Sequence, residues 1–120
     1  MNLTGSSKKL TIHVAPTKTK IVTSYDVGYG NAIYVTGETR YLGDWATAYK
    51  AHYDKKTATW DLTKNLPVGA QYKLIEAPWV SGESIAVSSA GVQWAQGSNE
   101  TVAAPTSGFE SVVTVDPTFY

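Results

Sequence analysis

Four aromatic side chains stand next to residues that form turns, where a ring can remain exposed to a ligand. They are Tyr29 between two glycines, Trp45 after a Gly-Asp pair, Trp60 at the start of an extended segment, and Trp94 before the polar run 96–99. An exposed ring can stack on the apolar C–H face of a pyranose, and nearby Lys, Asn and Gln side chains can bond to its hydroxyl groups. The pattern indicates a sugar-binding surface.

Burial is the alternative for each ring taken singly, because a large ring in a small domain usually fills the core. Trp60 has the same strand parity as Leu62, which favours burial of that ring if the chain has already entered the sheet. The composition has four Trp and eight Tyr against two Phe. Trp and Tyr rings carry a polar group and therefore suit partly solvent-exposed positions, although β proteins are rich in both residues in any case.

Side chains for covalent or acid–base chemistry show no pattern. The histidines His13 and His52 are far apart in sequence and have no metal-ligand spacing with a second His or Cys. The chain has no cysteine, which excludes disulfides and thiolate metal sites. No pair among the scattered carboxylates is singled out as the acid and base of a glycosidase. We therefore expect no catalytic residue, no metal and no cofactor.

The charge balance argues against a nucleic-acid partner. Ten basic residues balance ten acidic ones, and Arg40 is the single arginine that can form a bidentate fork to phosphate. Apolar stretches are a few residues long, far below the ~20 residues that span a bilayer. Neither a nucleic acid nor a membrane is expected as a partner.

Short strands are the elements that must position these rings. Segments with alternating or β-branched residues are separated by Gly, Pro and Asn turns, and no window has a sustained helical stripe. The 120 residues suffice for one domain with its own core. We predict an all-β, immunoglobulin-like antiparallel β-sandwich of about seven to eight strands over residues 17–120. Residues 1–16 are expected to be an N-terminal extension, a linker or an extra strand.

Five segments in register resemble the starch-binding domain of carbohydrate-binding module family 20, over roughly residues 20–116. In chain order they are YGNAIYVTG at 29–37, LGDW at 42–45, Trp60 with LPVG at 66–69, YKLI at 72–75, and VQW at 92–94 followed by Asn99-Glu100. Each segment alone is unspecific, but five of them in order and at the right spacing are hard to obtain by accident. A closely related starch-binding family would keep the ligand class and change which aromatics touch the ligand.

The resemblance implies an antiparallel sandwich with two glucan sites. At ligand-binding site 1 it implies that Trp45 and Trp94 are two angled platforms, with Lys73 and Asn99 as hydroxyl partners. Such a pair suits the curvature of an α-1,4-glucan and fits flat cellulose poorly. Without the resemblance, Lys73 would be interpreted as a solvated lysine on the outer face of a strand.

At ligand-binding site 2 the resemblance implies Tyr29, Tyr53 and Trp60. The stretch between Trp45 and Tyr53 is shorter than is usual in the family, so the geometry of site 2 is less firmly expected. The segment 76–91 is longer than usual and contains Trp79. This ring is a possible extra binding residue that extends the surface, or it closes the core beneath the segment.

The sequence thus predicts a non-catalytic module that binds starch or α-1,4-glucan by stacking and tethers a partner domain to it. Expected ligands are starch, maltooligosaccharides and cyclodextrins, and the expected partner is an amylolytic enzyme or a glucan-binding scaffold. We expect an extracellular location, as a domain of a secreted protein whose export signal is not in this chain. The alternative is a structural or protein-interaction sandwich whose exposed aromatics form an interface. A small glycan hydrolase is a third hypothesis, which no residue pattern favours.

Overall fold

The computed structural model describes residues 17–104 and 110–119, which form strands and one short 3₁₀ helix. The predicted N-terminal extension, residues 1–16, lies outside the described residues. Eight of the strands are three residues or longer, which agrees with the expected number. In chain order the elements are β1 (Thr17–Thr23), β2 (Asn31–Gly37), the 3₁₀ helix (Arg40–Leu42), β3 (Thr47–Lys50), β4 (His52–Asp54), β5 (Thr59–Leu66), β6 (Gln71–Pro78), β7 (Ser84–Ala86), β8 (Gln93–Trp94), β9 (Glu100–Thr101) and β10 (Glu110–Thr114).

The strands form two sheets, and the predicted all-β sandwich is confirmed. The larger sheet has the order β9-β6-β2-β3-β7, with β8 also paired to β6, and the smaller sheet has the order β10-β1-β5-β4. Every pairing in the larger sheet is antiparallel, as are β1 with β5 and β5 with β4. The exception is the edge strand β10, which runs parallel to β1.

The core is built from apolar residues of both sheets. Strands β2 and β6 lie in the middle of the larger sheet and are buried on both faces over residues 32–37 and 74–77. The sequence of β2 is continuously apolar over residues 32–35, which is the pattern of a strand that is covered on both sides, whereas β6 is interrupted by the buried Glu76. The smaller sheet contributes Ile21, Trp60 and Leu66 to the same buried cluster.

Two parts of the chain contain short strands that the sequence did not predict. The stretch between Trp45 and Tyr53 contains β3 and the start of β4, and the segment 76–91 contains β7, which pairs with β3. Both strands are short, so neither shows enough alternation to be predicted. No helix in the described part of the chain is long and apolar enough to cross a membrane.

Candidate functional site

Trp45 is presented by a tight turn with an unusual backbone. Gly43, Asp44 and Trp45 all have positive φ, of 83°, 52° and 62°. The Trp45 N–H donates to the Gly37 carbonyl at 2.9 Å, and the Thr47 N–H donates to the Gly43 carbonyl at 3.1 Å. A bulky residue rarely adopts the left-handed region, and such strain tends to occur at functional positions. The turn therefore holds the half-buried indole in a conformation that local propensity does not favour.

Trp94 is positioned by β8, which adds two residues to the edge of β6. It pairs with Ile75, and the next residue, Ala95, donates its N–H to the Leu74 carbonyl at 3.0 Å. The Trp94 side chain is 38% exposed. Its ring centroid lies 6.3 Å from that of Trp45, and the two planes are inclined by 36°. The two tryptophans predicted for site 1 are therefore neighbours that form an angled pair.

The polar residues predicted for site 1 are fixed around the segment that follows Trp94. Lys73 Nζ donates to the carbonyls of Ala95 at 2.5 Å and Gly97 at 2.6 Å. Asn99 Nδ2 donates to Oε1 of Gln71 at 3.0 Å. Lys73 is thus not a freely solvated lysine, and its third ammonium proton has no hydrogen-bond partner among the described residues. Gln71, which orients Asn99, was not predicted, because a glutamine at the start of a strand has no sequence signature.

Site 2 is an open cleft of about 640 Å³ between the turn before β2 and the hairpin formed by β4 and β5. Tyr53 and Trp60 are directly opposite each other on β4 and β5, with ring centroids 4.9 Å apart and planes inclined by 51°. Tyr29, which lies in the turn before β2, completes the set predicted from the sequence. The structure therefore brings all three aromatics to one cleft, despite the short connection from Trp45 to Tyr53. The lining residues are Tyr25, Asp26, Val27, Gly28, Tyr29, Gly30, Tyr53, Ala58 and Trp60.

The three rings of site 2 differ in exposure. The side chain of Tyr29 is fully exposed and Tyr53 is exposed, whereas Trp60 is only 8% exposed and belongs to the core cluster. The parity of Trp60 with Leu62 thus correctly indicated burial, but the indole still lines the cleft. Trp60 forms part of the cleft wall while the two tyrosines project into solvent.

The turn that carries Tyr29 is organised by residues that were not predicted as part of the site. Gly28 and Gly30 have φ of 76° and 89°, which glycine adopts without a steric cost. The Asp26 carboxylate accepts the Gly28 N–H at 2.9 Å, an Asx turn that closes the loop. The Asp-Val-Gly sequence before Tyr29 is the signal that could have identified this turn.

Trp79 lies on the surface, because its side chain is 54% exposed. It lines a second, smaller depression of about 320 Å³ together with Tyr29, Gly30 and Asn31. The alternative in which Trp79 closes the core beneath the segment 76–91 is therefore wrong.

Asp26 is the one carboxylate among the residues that line the site 2 cleft. Within residues 17–104 and 110–119 no group of three His, Cys, Asp or Glu side chains could hold a metal ion. His52 lies on an exposed strand 3.7 Å from the Asp61 carboxylate, and His13 is outside the described residues. Burial raises the pKa of the Tyr34 phenol. Burial, with a smaller effect of the Glu100 charge, raises the pKa of Tyr72 to about 12. Both rings lie in the core and not at a site.

The chain is thus a two-sheet β-sandwich that carries two inclined pairs of aromatic rings, Trp45 with Trp94 and Tyr53 with Trp60. The family model described as Starch binding domain, of carbohydrate-binding module family 20, matches residues 16–114. The chain belongs to this family.

Individual relatives and solved structures agree with the family match. A thermophilic β-amylase of Thermoanaerobacterium thermosulfurigenes is 31% identical over an alignment that covers 92% of this chain and 22% of the amylase. The family 20 module of a maltotetraose-forming amylase from Pseudomonas saccharophila STB07 has a TM-score of 0.56 at 20% identity, covering 82% of this chain and 99% of the module. A glucoamylase from Hypocrea jecorina has a TM-score of 0.60 at 24% identity, covering 93% of this chain and 19% of the glucoamylase. This chain therefore spans about a fifth of the length of this β-amylase and of this glucoamylase.

Proposed function

We propose that this chain is a non-catalytic module that binds starch and other α-1,4-glucans by aromatic stacking at sites 1 and 2. The observation that supports this most directly is the pair formed by Trp45 and Trp94, with centroids 6.3 Å apart and planes inclined by 36°. Two inclined faces match a chain whose successive sugar rings turn relative to each other. A flat glucan would stack on one of the two indoles only.

Polar groups beside the rings support the same ligand class. The Lys73 ammonium is held by the Ala95 and Gly97 carbonyls, and the Asn99 amide is held by Gln71. Donors that are already oriented lose little rotamer freedom when a hydroxyl binds. At site 2 the exposed Tyr29 and Tyr53 combine an apolar ring with a phenolic hydroxyl, which is a suitable contact for a sugar.

Shallow stacking at each site implies weak binding, with dissociation constants on the order of micromolar to millimolar. Two sites on one domain raise the apparent affinity for a long chain or a granule, because the second binding event is intramolecular. The proposed ligands are starch, maltooligosaccharides and cyclodextrins.

The proposed role of the module is to tether a partner domain to the polysaccharide. The family membership and the similarity to a β-amylase and a glucoamylase support an amylolytic enzyme as the partner, with a glucan-binding scaffold as the alternative. Such a parent protein would act on starch outside the cell, so we propose an extracellular location.

A titration with β-cyclodextrin, followed by Trp fluorescence and amide chemical shifts, tests the proposal. Trp45→Ala should remove binding at site 1, and Tyr53→Ala should weaken binding at site 2. Val112→Ala, which removes an exposed side chain on β10, is the control and should bind like the original chain.

Three results would count against the proposal. The absence of any change at millimolar cyclodextrin would refute glucan binding, and concentration-dependent self-association or partner binding through the same rings would favour a protein interface. Release of reducing sugar by the purified chain would contradict the non-catalytic role.

A further inference from the structure

Site 2 continues beyond Tyr29 into a second depression. The larger cleft and the smaller one share Tyr29 and Gly30 as lining residues, and the smaller one ends at Trp79 and Asn31. The Trp79 N–H donates to the Gly30 carbonyl at 2.8 Å, which joins the Trp79 segment to the Tyr29 turn. A ligand that lies in the larger cleft can therefore extend over Tyr29 without leaving the protein surface.

The indole of Trp79 is held in place before any ligand binds. The Lys50 ammonium lies 4.2 Å from its ring centroid and donates to the Val80 carbonyl at 2.5 Å. A cation over one face of the ring leaves the opposite face for stacking, and the side chain is 54% exposed. A platform that is already ordered loses little conformational entropy on binding.

Asn31 adds a fixed polar group to this depression. Its Nδ2 donates to the Val27 carbonyl at 3.3 Å and to Glu76 Oε2 at 3.0 Å, so both amide protons are used. Glu76 is only 5% exposed, and Asn31 is the side-chain partner of its carboxylate. The amide carbonyl Oδ1 has no hydrogen-bond partner within the described residues. It can therefore accept a hydrogen bond from a ligand hydroxyl group.

We infer that Trp79 and Asn31 form an accessory subsite that lengthens site 2, with Trp79 as a stacking platform and Asn31 as a hydroxyl acceptor. The occupant is the same α-glucan chain that fills the larger cleft, so this inference rests on the proposed function. A depression of about 320 Å³ has room for sugar units but presents little area to a protein partner. Site 2 should therefore favour longer chains than site 1 does.

Length-dependent binding of linear maltooligosaccharides tests this inference. The experiment uses the Trp45→Ala chain, in which site 1 is removed, and compares it with Trp45→Ala combined with Trp79→Ala or with Trp79→Tyr. In the Trp45→Ala chain, affinity should rise from maltose to maltoheptaose. Adding Trp79→Ala should weaken maltoheptaose binding roughly three- to tenfold, the worth of one aromatic contact, and leave maltose binding unchanged. Trp79→Tyr keeps a ring and should retain part of the rise.

The possible failures are distinguishable. If the original chain binds no glucan, the proposed function fails and the subsite fails with it. If the Trp45→Ala chain binds glucans and Trp79→Ala leaves the length dependence unchanged, the subsite is refuted and the proposed function stands. If Trp79→Ala instead abolishes self-association in sedimentation velocity without affecting glucan binding, a second copy of the chain is the occupant and the inference is again overturned.

Discussion

Replacing Gly43 with alanine tests how the Trp45 turn is built. An added Cβ would lie 2.1 Å from the Thr47 carbonyl oxygen and 2.7 Å from the carbonyl carbon, in a residue with φ of 83°. Contacts this short with backbone atoms cannot be relieved by rotating a side chain. The backbone at Thr47 must move by about an ångström or more, at the point where β3 begins.

The expected loss of stability in Gly43→Ala has two contributions. The left-handed backbone costs an alanine roughly 1–2 kcal/mol relative to glycine. Moving the Thr47 backbone also disrupts the bond from Thr36 Oγ1 to the Thr47 carbonyl and the bond from the Thr47 N–H to the Gly43 carbonyl, each worth about 1 kcal/mol net. Gly43→Ala should therefore lower the free energy of unfolding by about 3 to 4 kcal/mol, a loss typical of backbone clashes in a packed region.

Gly69→Ala is the matched control. Gly69 has φ of 91°, but nothing lies within 4 Å of its added Cβ, so only the conformational cost of about 1–2 kcal/mol applies. Urea unfolding of the two variants measures the difference, and β-cyclodextrin titration should show weaker binding at site 1 for Gly43→Ala alone. Equal losses of stability in the two variants would refute the steric account of the turn.

Three further outcomes are expected. Trp45→Gly should be about 1 kcal/mol more stable in urea than Trp45→Ala, because φ is 62° at this position; equal stability would show that the backbone relaxes in the variants. Lys73→Met should weaken glucan binding at site 1 by about 1 kcal/mol in a calorimetric titration and leave site 2 unchanged, because the ammonium bonds to two carbonyls beside Trp94. Burial, with a smaller effect of the Glu100 charge, raises the pKa of Tyr72 to about 12, whereas an unfolded tyrosine ionises near pH 10. This contribution to stability is complete below about pH 10 and is lost as the pH rises through about 12, so the free energy of unfolding should fall by up to about 3 kcal/mol over this range. Tyr72→Phe should show a smaller fall between the same pH values, and an identical fall would contradict the assignment.

Sequence periodicity predicted the main strands because each carries a strong local signal. The apolar run of β2, the alternation at the start of β6 and the β-branched residues of β1 correspond to the burial of these strands in the sandwich. The short strands β3 and β7 were missed, since three or four residues carry too little pattern. The parallel pairing of β10 with β1 was also missed, because direction at a sheet edge depends on the path of the whole chain.

The candidate binding residues were predicted in two steps: four rings were singled out by their position beside turn residues, and the resemblance then assigned the rings to two sites. Trp45 and Trp94 are far apart in sequence, and only the pairing of β8 with β6 brings their rings together. For Trp79 both alternatives were compatible with the sequence. Its surface position depends on the Lys50 ammonium over its ring and on the bond to Gly30, two tertiary contacts that no local motif encodes.

The aromatic rings that face solvent are held by loops and edges, while the apolar core lies mainly in β2 and β6. Tyr29 lies between glycines with positive φ, Trp45 is itself in the left-handed region, and Trp94 is on a two-residue edge strand. None of these conformations would persist in a flexible loop, so the sandwich supplies the rigidity that each ring requires. A shallow stacked contact gains little free energy, and binding is therefore sensitive to the entropy of ordering the ring. It follows that changes in one loop should alter one site only, whereas destabilising the central strands should weaken both sites together.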